Sequence, residues 1–332
     1  MKKSGKLLMK VLLAGAFFSV AALSLAPQAH AAKVSANSKI KKTVSVSERL
    51  TVKTSASSAK TAAFWSYPYG SNAAAKKTHW LKNYTYKSLI ATKEATLKSG
   101  LKYYYVKVAS KPSVKGWIYS GNLRQMSYVA LGDSITKGWT GVSYATNPYP
   151  AQVGDTLGMT STNLGQNNGK VVGDSSLDLT YNIDNHSFKN DDVVTIAYGV
   201  NDYFHDQDLS DVKQTLSTEI SNLKSKYPHL QIVGVLPLNC YVKDANSGLY
   251  VSAAITPYST HAYTLDDLRD IEASVYKSYS IKTLDWRDYE GQLIPTTDSR
   301  KTVFGDERLH PTQKTYTAMS GILSNFLADN LK

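Results

Sequence analysis

A serine, a glycine, an asparagine and a histidine in this chain each sit where a side chain or N–H is free for chemistry. Ser134 follows the apolar run Tyr128-Val-Ala-Leu and the dipeptide Gly132-Asp133. A serine at the carboxyl end of a strand keeps its hydroxyl exposed and its N–H unpaired, which an activated nucleophile beside an oxyanion site needs. Gly-Asp-Ser alone is more often an ordinary turn, and Gly173-Asp174-Ser175 repeats it without a comparable apolar run, so that copy reads as loop. Gly165 closes Asn163-Leu164-Gly165, where a glycine lets the backbone approach a substrate and aim its N–H into a site. Asn201 follows Val193-Val-Thr-Ile-Ala-Tyr-Gly-Val, and its amide can donate to a developing oxyanion, or form an Asx turn.

His310 lies in Gly305-Asp-Glu-Arg-Leu-His-Pro311. An imidazole there can take the serine proton near neutral pH, and a carboxylate a few residues earlier can hold its other nitrogen. Pro311 suits the first position of a closing helix. His79, His186, His205, His229 and His261 lack such a setting and read as surface or packing residues. No histidine–carboxylate set has ligand spacing, so neither metal nor cofactor is expected.

These residues need a scaffold that brings strand ends together. From Ser127 onward, apolar runs at Tyr128–Leu131, 161–164, 193–198, 232–238 and 281–284 alternate with amphipathic stretches near 149–157, 209–226, 265–278 and 312–331. Alternating βα units predict a parallel sheet covered on both faces, with ligands beyond the carboxyl ends of the strands.

The rest of the chain differs in charge and character. Residues 1–127 hold 22 Lys+Arg against two acids, Glu48 and Glu94, whereas residues 128–332 hold 16 against 24. That asymmetry predicts two modules with different partners. Lys2, Lys3, Lys6 and Lys10, the apolar stretch that follows and Ala29-His30-Ala31 predict a signal peptide over 1–31 and an exported chain, with no membrane span in the mature protein. Residues 32–62, rich in Lys, Ser, Thr and Ala, read as a linker or basic arm. Residues 63–125 carry short aromatic and β-branched runs between turns and predict a small all-β barrel. Cys240, the only cysteine, can form no internal disulfide and reads as a small buried hydrophobe.

In that barrel, Tyr104, Val106, Lys107, Lys115-Gly-Trp-Ile-Tyr119 and Leu123 resemble the bacterial Src-homology-three-like barrels of GW type found in wall-attached proteins of low-GC Gram-positive bacteria. In the domain 127–332, roughly residues 127–330 resemble the SGNH/GDSL hydrolases, whose name lists Ser, Gly, Asn and His, because the four blocks occur in order, each at an expected strand end or the start of the last helix. That resemblance implies a flavodoxin-like three-layer α/β/α fold with a parallel sheet. It implies Ser134 as nucleophile, His310 as general base and later acid, and an oxyanion hole of the Ser134 N–H, the Gly165 N–H and the Asn201 side chain. The family usually has Asp three residues before the histidine, where this chain has Glu307. Glu307 is the expected orienting acid, with Asp306 or a serine–histidine dyad as alternatives.

The expected activity is therefore a secreted serine esterase acting on acyl or acetyl esters, through an acyl-serine, on extracellular or cell-wall glycans or lipids. The rivals are an acyltransferase on wall sugars and a non-catalytic wall-binding protein. The segment 247–263 falls where loops of this family cover the site, as an acyl or sugar pocket or as a plain crossover. The basic module suits an anionic wall polymer such as teichoic acid, since export argues against nucleic acid.

Overall fold

The computed structural model describes residues 39–57, 62–258 and 262–332. The expected signal peptide lies outside them. Two sheets organise the chain. The first is a curled, seven-stranded antiparallel sheet of β1 (Ile40–Val52), β2 (Ala63–Trp65), β3 (Lys77–Trp80), β4 (Leu89–Leu97), β5 (Lys102–Val108), β6 (Lys111–Tyr119) and β7 (Leu123–Gln125). Its strand order is β3-β2-β6-β5-β4-β1-β7. Alternation along β5 and β6 sends Val106, Val108, Val114 and Ile118 inward against Phe64, Leu81 and Leu89. The Gly116-Trp117 pair has a packing reason. A Cβ at Gly116 would lie 2.9 Å from the Trp65 carbonyl, while Trp117 packs on Tyr105 at 5.4 Å between ring centroids.

β1 corrects the reading of 32–62 as a linker. Residues 40–52 form the longest strand of the sheet, paired with both β4 and β7. Its amino half is mostly exposed, which suits Lys, Ser and Thr, while Leu50 and Val52 enter the core and Val46 packs against it. The apolar residues Ile40, Val44, Val46, Leu50 and Val52 fall on alternate positions, as a strand requires, but Lys42 and Glu48 interrupt the set.

The second sheet is parallel: β8 (Ser127–Gly132), β9 (Thr160–Asn163), β10 (Val193–Ala197), β11 (Gln231–Val235) and β14 (Lys282–Leu284), in the order β14-β11-β10-β8-β9. A hairpin of β12 (Tyr241–Lys243) and β13 (Tyr250–Ser252) stands apart. Along β8, Tyr128 and Ala130 join one core while Val129 and Leu131 join another. The first core is closed by the helices Tyr149–Leu157 and Gln313–Asn330, through Val153, Met319, Leu323 and Leu327. The second is closed by Leu209–Lys226, through Val212, Leu216, Ile220 and Leu223. This is the three-layer α/β/α arrangement. Each fully buried aliphatic side chain contributes ~1.5–3 kcal/mol relative to exposure, so the two faces clamp the central strands.

The antiparallel sheet meets the amino ends of the parallel strands. Arg124 forms a two-pronged ion pair with Asp192, at 2.6 and 2.8 Å, just before β10. The carboxyl ends are thereby left open at the opposite side.

Candidate active site

Ser134 emerges from the carboxyl end of β8. Asp133 caps the short helix Ser134–Lys137 by accepting from the Ile135 N–H at 2.8 Å, and Gly138 ends it at φ +96°. Gly132 is required beneath it, since a Cβ there would run into the Thr136 hydroxyl and the Ala197 carbonyl. The serine hydroxyl faces the His310 Nε2 at 3.0 Å. Ala197 of β10 is in register with Gly132, so Asn201, four residues on, comes beside the serine at the same sheet end.

The loop before the closing helix sets the histidine. Asp306 Oδ1 accepts three backbone N–H groups, from Arg308 at 3.0 Å, Leu309 at 2.8 Å and His310 at 3.1 Å. Its Oδ2 accepts from the His310 Nδ1 at 2.6 Å. Burial alone would raise the Asp306 pKa, but these hydrogen bonds outweigh it and hold the carboxyl well below the usual range. An ionised Asp306 fixes the proton on Nδ1 and leaves Nε2 to accept from the serine.

Glu307, the expected orienting acid, is not there. It adopts φ +57°, and its exposed side chain pairs with Arg300 at 3.0 Å. The left-handed residue bulges outward, so the carboxylate that meets the imidazole comes from four positions back.

Gly165 also differs from expectation. Its N–H donates to the Asn163 Oδ1 at 2.9 Å, and Asn163 donates in turn to the Thr136 carbonyl at 2.7 Å. That N–H is used within the loop. The glycine is still needed, because a Cβ would fall 2.7 Å from the Thr136 carbonyl carbon. A residue the sequence reading missed lies nearby: Asn168, at φ +60°, lines the cleft, and its N–H has no partner among the described residues. Its signal was the Asn-Asn-Gly run, since Asn tolerates the left-handed region. Asn201 is 6% exposed and spends one amide N–H on the Gly169 carbonyl at 2.9 Å, leaving the other.

The cleft holds about 430 Å³ and is lined by Ser134, His310, Asn168, Asn201, Trp139 and Arg308, among others. The Trp139 ring meets His310 edge-on at 6.5 Å and Tyr144 at 5.1 Å. The described residues of the segment 247–263, which leave out 259–261, do not line it; Tyr258 instead backs Phe204, a cleft residue, at 5.1 Å. Beneath the floor lie buried acids. Burial pushes Asp133 up to about 6 and Asp202 up to about 7, despite N–H donors at each. Burial, with Asp202 and Asp133 nearby, pushes Glu272 well up. Cys240 is buried, and burial pushes its thiol up to about 12, which makes it inert. Ser175, of the second Gly-Asp-Ser, turns to Asp178 at 2.7 Å.

The GDSL-like lipase/acylhydrolase family profile matches residues 130–318, more than half of the chain. The chain belongs to this family. Membership in the GDSL-like family carries ester hydrolase activity in general terms. The GW (Gly-Tryp) dipeptide domain, a cell-wall-binding module, matches residues 31–124. A solved protein from Lactobacillus plantarum is similar at 18% identity and a TM-score of 0.52, over 62% of this chain and 98% of that one. A lipase/acylhydrolase from Enterococcus faecalis is similar at 16% identity and a TM-score of 0.45, over 62% and 97%. A member of the lipolytic G-D-S-L family from Veillonella parvula is similar at 21% identity and a TM-score of 0.41, over 59% and 94%. None of the curated proteins matches the chain in sequence. Among the described residues, no helix is long and apolar enough to cross a membrane.

Proposed function

We propose that this GDSL-family protein is a secreted serine esterase that cleaves acyl or acetyl esters of extracellular or cell-wall glycans or lipids. The observation that carries the reading is the unbroken chain of contacts from the Ser134 hydroxyl to His310 to Asp306. In this reading Ser134 Oγ attacks the ester carbonyl while the His310 Nε2 takes its proton. The carbonyl oxygen becomes an oxyanion held by the N–H groups of Ser134 and Asn168 and the spare N–H of Asn201. Collapse breaks the ester C–O bond, and His310 returns the proton to the leaving alcohol. Water, deprotonated by His310, then releases the acid from the acyl-serine. Preorganised donors of this kind act without reorganising as charge develops.

The test is hydrolysis of p-nitrophenyl acetate by wild type and by Ser134→Ala. Loss of nearly all turnover with an unchanged thermal transition supports the reading; equal rates overturn it. Product analysis with an acceptor glycan present separates hydrolysis from acyl transfer.

The GW module is proposed to hold the enzyme at an anionic wall polymer such as teichoic acid. Residues 32–127 carry a net charge of +16, which supports salt-sensitive attachment. The full-length Ser134→Ala protein is expected to sediment with purified walls at low salt and to be released at high salt. A protein that stays in solution at low salt contradicts the attachment.

A further inference from the structure

Four arginines lie beyond residue 127. Arg269 pairs with Asp266 and Glu290, Arg287 with Asp270 and Asp285, and Arg300 with Glu307. Arg308 alone forms no ion pair among the described residues, although this half of the chain holds 24 acids against 16 bases. It is half-buried and lines the same cleft as Ser134 and His310.

Its side chain is nonetheless fixed. The Nε donates to the Tyr241 carbonyl at 3.2 Å, and the guanidinium lies over the Phe204 ring, 4.5 Å from its centroid. Its own N–H donates to Asp306, and its carbonyl accepts from the Tyr241 N–H at 2.9 Å. Asp306, two residues away, is already engaged by three backbone N–H groups and the imidazole. Among the described residues, the two terminal nitrogens of the guanidinium have no acceptor, while its plane is set by a carbonyl and a ring. A planar fork held this way matches the two oxygens of a carboxylate or phosphate. A merely solvated surface arginine needs neither anchor.

We propose that Arg308 binds an anionic group on the substrate, so that the preferred ester carries a carboxylate or phosphate next to the scissile bond. This rests on the esterase reading and narrows its substrate class to acidic esters.

The experiment compares kcat/KM for matched esters. Mono-p-nitrophenyl succinate against p-nitrophenyl butyrate tests an anion on the acyl side. On the alcohol side, 4-acetoxybenzoate and 4-acetoxyphenyl phosphate are each compared with 4-acetoxybenzamide, which separates carboxylate from phosphate. The wild type is expected to prefer at least one anionic ester by about tenfold or more, as a charge-assisted hydrogen-bonded pair gives. Arg308→Gln is expected to abolish the preference, and Arg308→Lys to restore part of it, since charge is regained without the fork. Because each ratio is taken within one variant, general damage cancels. The proposal is overturned if no anionic ester is preferred, or if the preference survives in Arg308→Gln. Ser134-dependent cleavage of neutral esters with ratios near one sinks this inference alone. Absence of Ser134-dependent cleavage of any ester sinks the esterase reading with it.

Discussion

Replacing Asp306 by Asn should disable the site, whereas replacing Glu307 by Gln should leave it nearly intact. Asp306 makes the 2.6 Å contact that keeps the His310 proton on Nδ1. An amide in its place can present N–H to that nitrogen, which favours the wrong tautomer and removes the charge facing the imidazolium. Such a change at a serine–histidine–aspartate site costs about 10⁴ in kcat, roughly 5 kcal/mol at ~1.4 kcal/mol per decade. Some of the backbone support survives, since an amide oxygen still accepts from the loop N–H groups. Glu307 offers a contrast of one residue. Its side chain is 55% exposed and pairs with Arg300. An ion pair so placed is worth ~0–1 kcal/mol, so Glu307→Gln should change kcat/KM by less than about fivefold. The assay is steady-state hydrolysis of p-nitrophenyl acetate by both variants, with thermal unfolding alongside. A larger loss for Glu307→Gln than for Asp306→Asn would refute the reasoning.

Two further outcomes follow from the same geometry. Asn201→Ala should lower kcat about a hundredfold or more, the ~2.7–4 kcal/mol of one oxyanion donor, while the lost buried bond to the Gly169 carbonyl costs ~1–3 kcal/mol of stability; an unchanged kcat counts against the assignment. Asp133 has a folded pKa raised from 3.8 to about 6, so the stability it lends is whole below about pH 4 and is lost as pH rises to about 6. Two units correspond to ~3 kcal/mol. Asp133→Asn should therefore gain thermal stability over wild type between pH 4 and 7, and parallel melting curves across that range would contradict the burial argument.

Local signals made much of the scaffold legible. The helices Tyr149–Leu157, Leu209–Lys226 and Leu265–Ser278 begin and end where the apolar spacing placed them, because Gly158 in the left-handed region and the caps Asp208 and Thr264 are written in the sequence. All five parallel strands lie where the sequence placed them, β9 within a residue of the expected 161–164 although its four residues are exposed. What stayed hidden depended on contacts between distant residues or on a single backbone angle. β1 was masked by its exposed amino half and by Lys42 and Glu48, which interrupt its apolar alternation. Whether Gly165 or Asn168 offers a free N–H depends on the direction of the Asn163 side chain. The choice between Asp306 and Glu307 turned on one positive φ, which spacing alone does not reveal.

Labelling with a fluorophosphonate tests the nucleophile most directly. Intact mass and peptide mapping of the inactivated full-length protein should find one adduct, on Ser134, with Ser134→Ala left unmodified. Inactivation with the adduct on any other residue, or an unlabelled protein that still cleaves esters, would contradict the account.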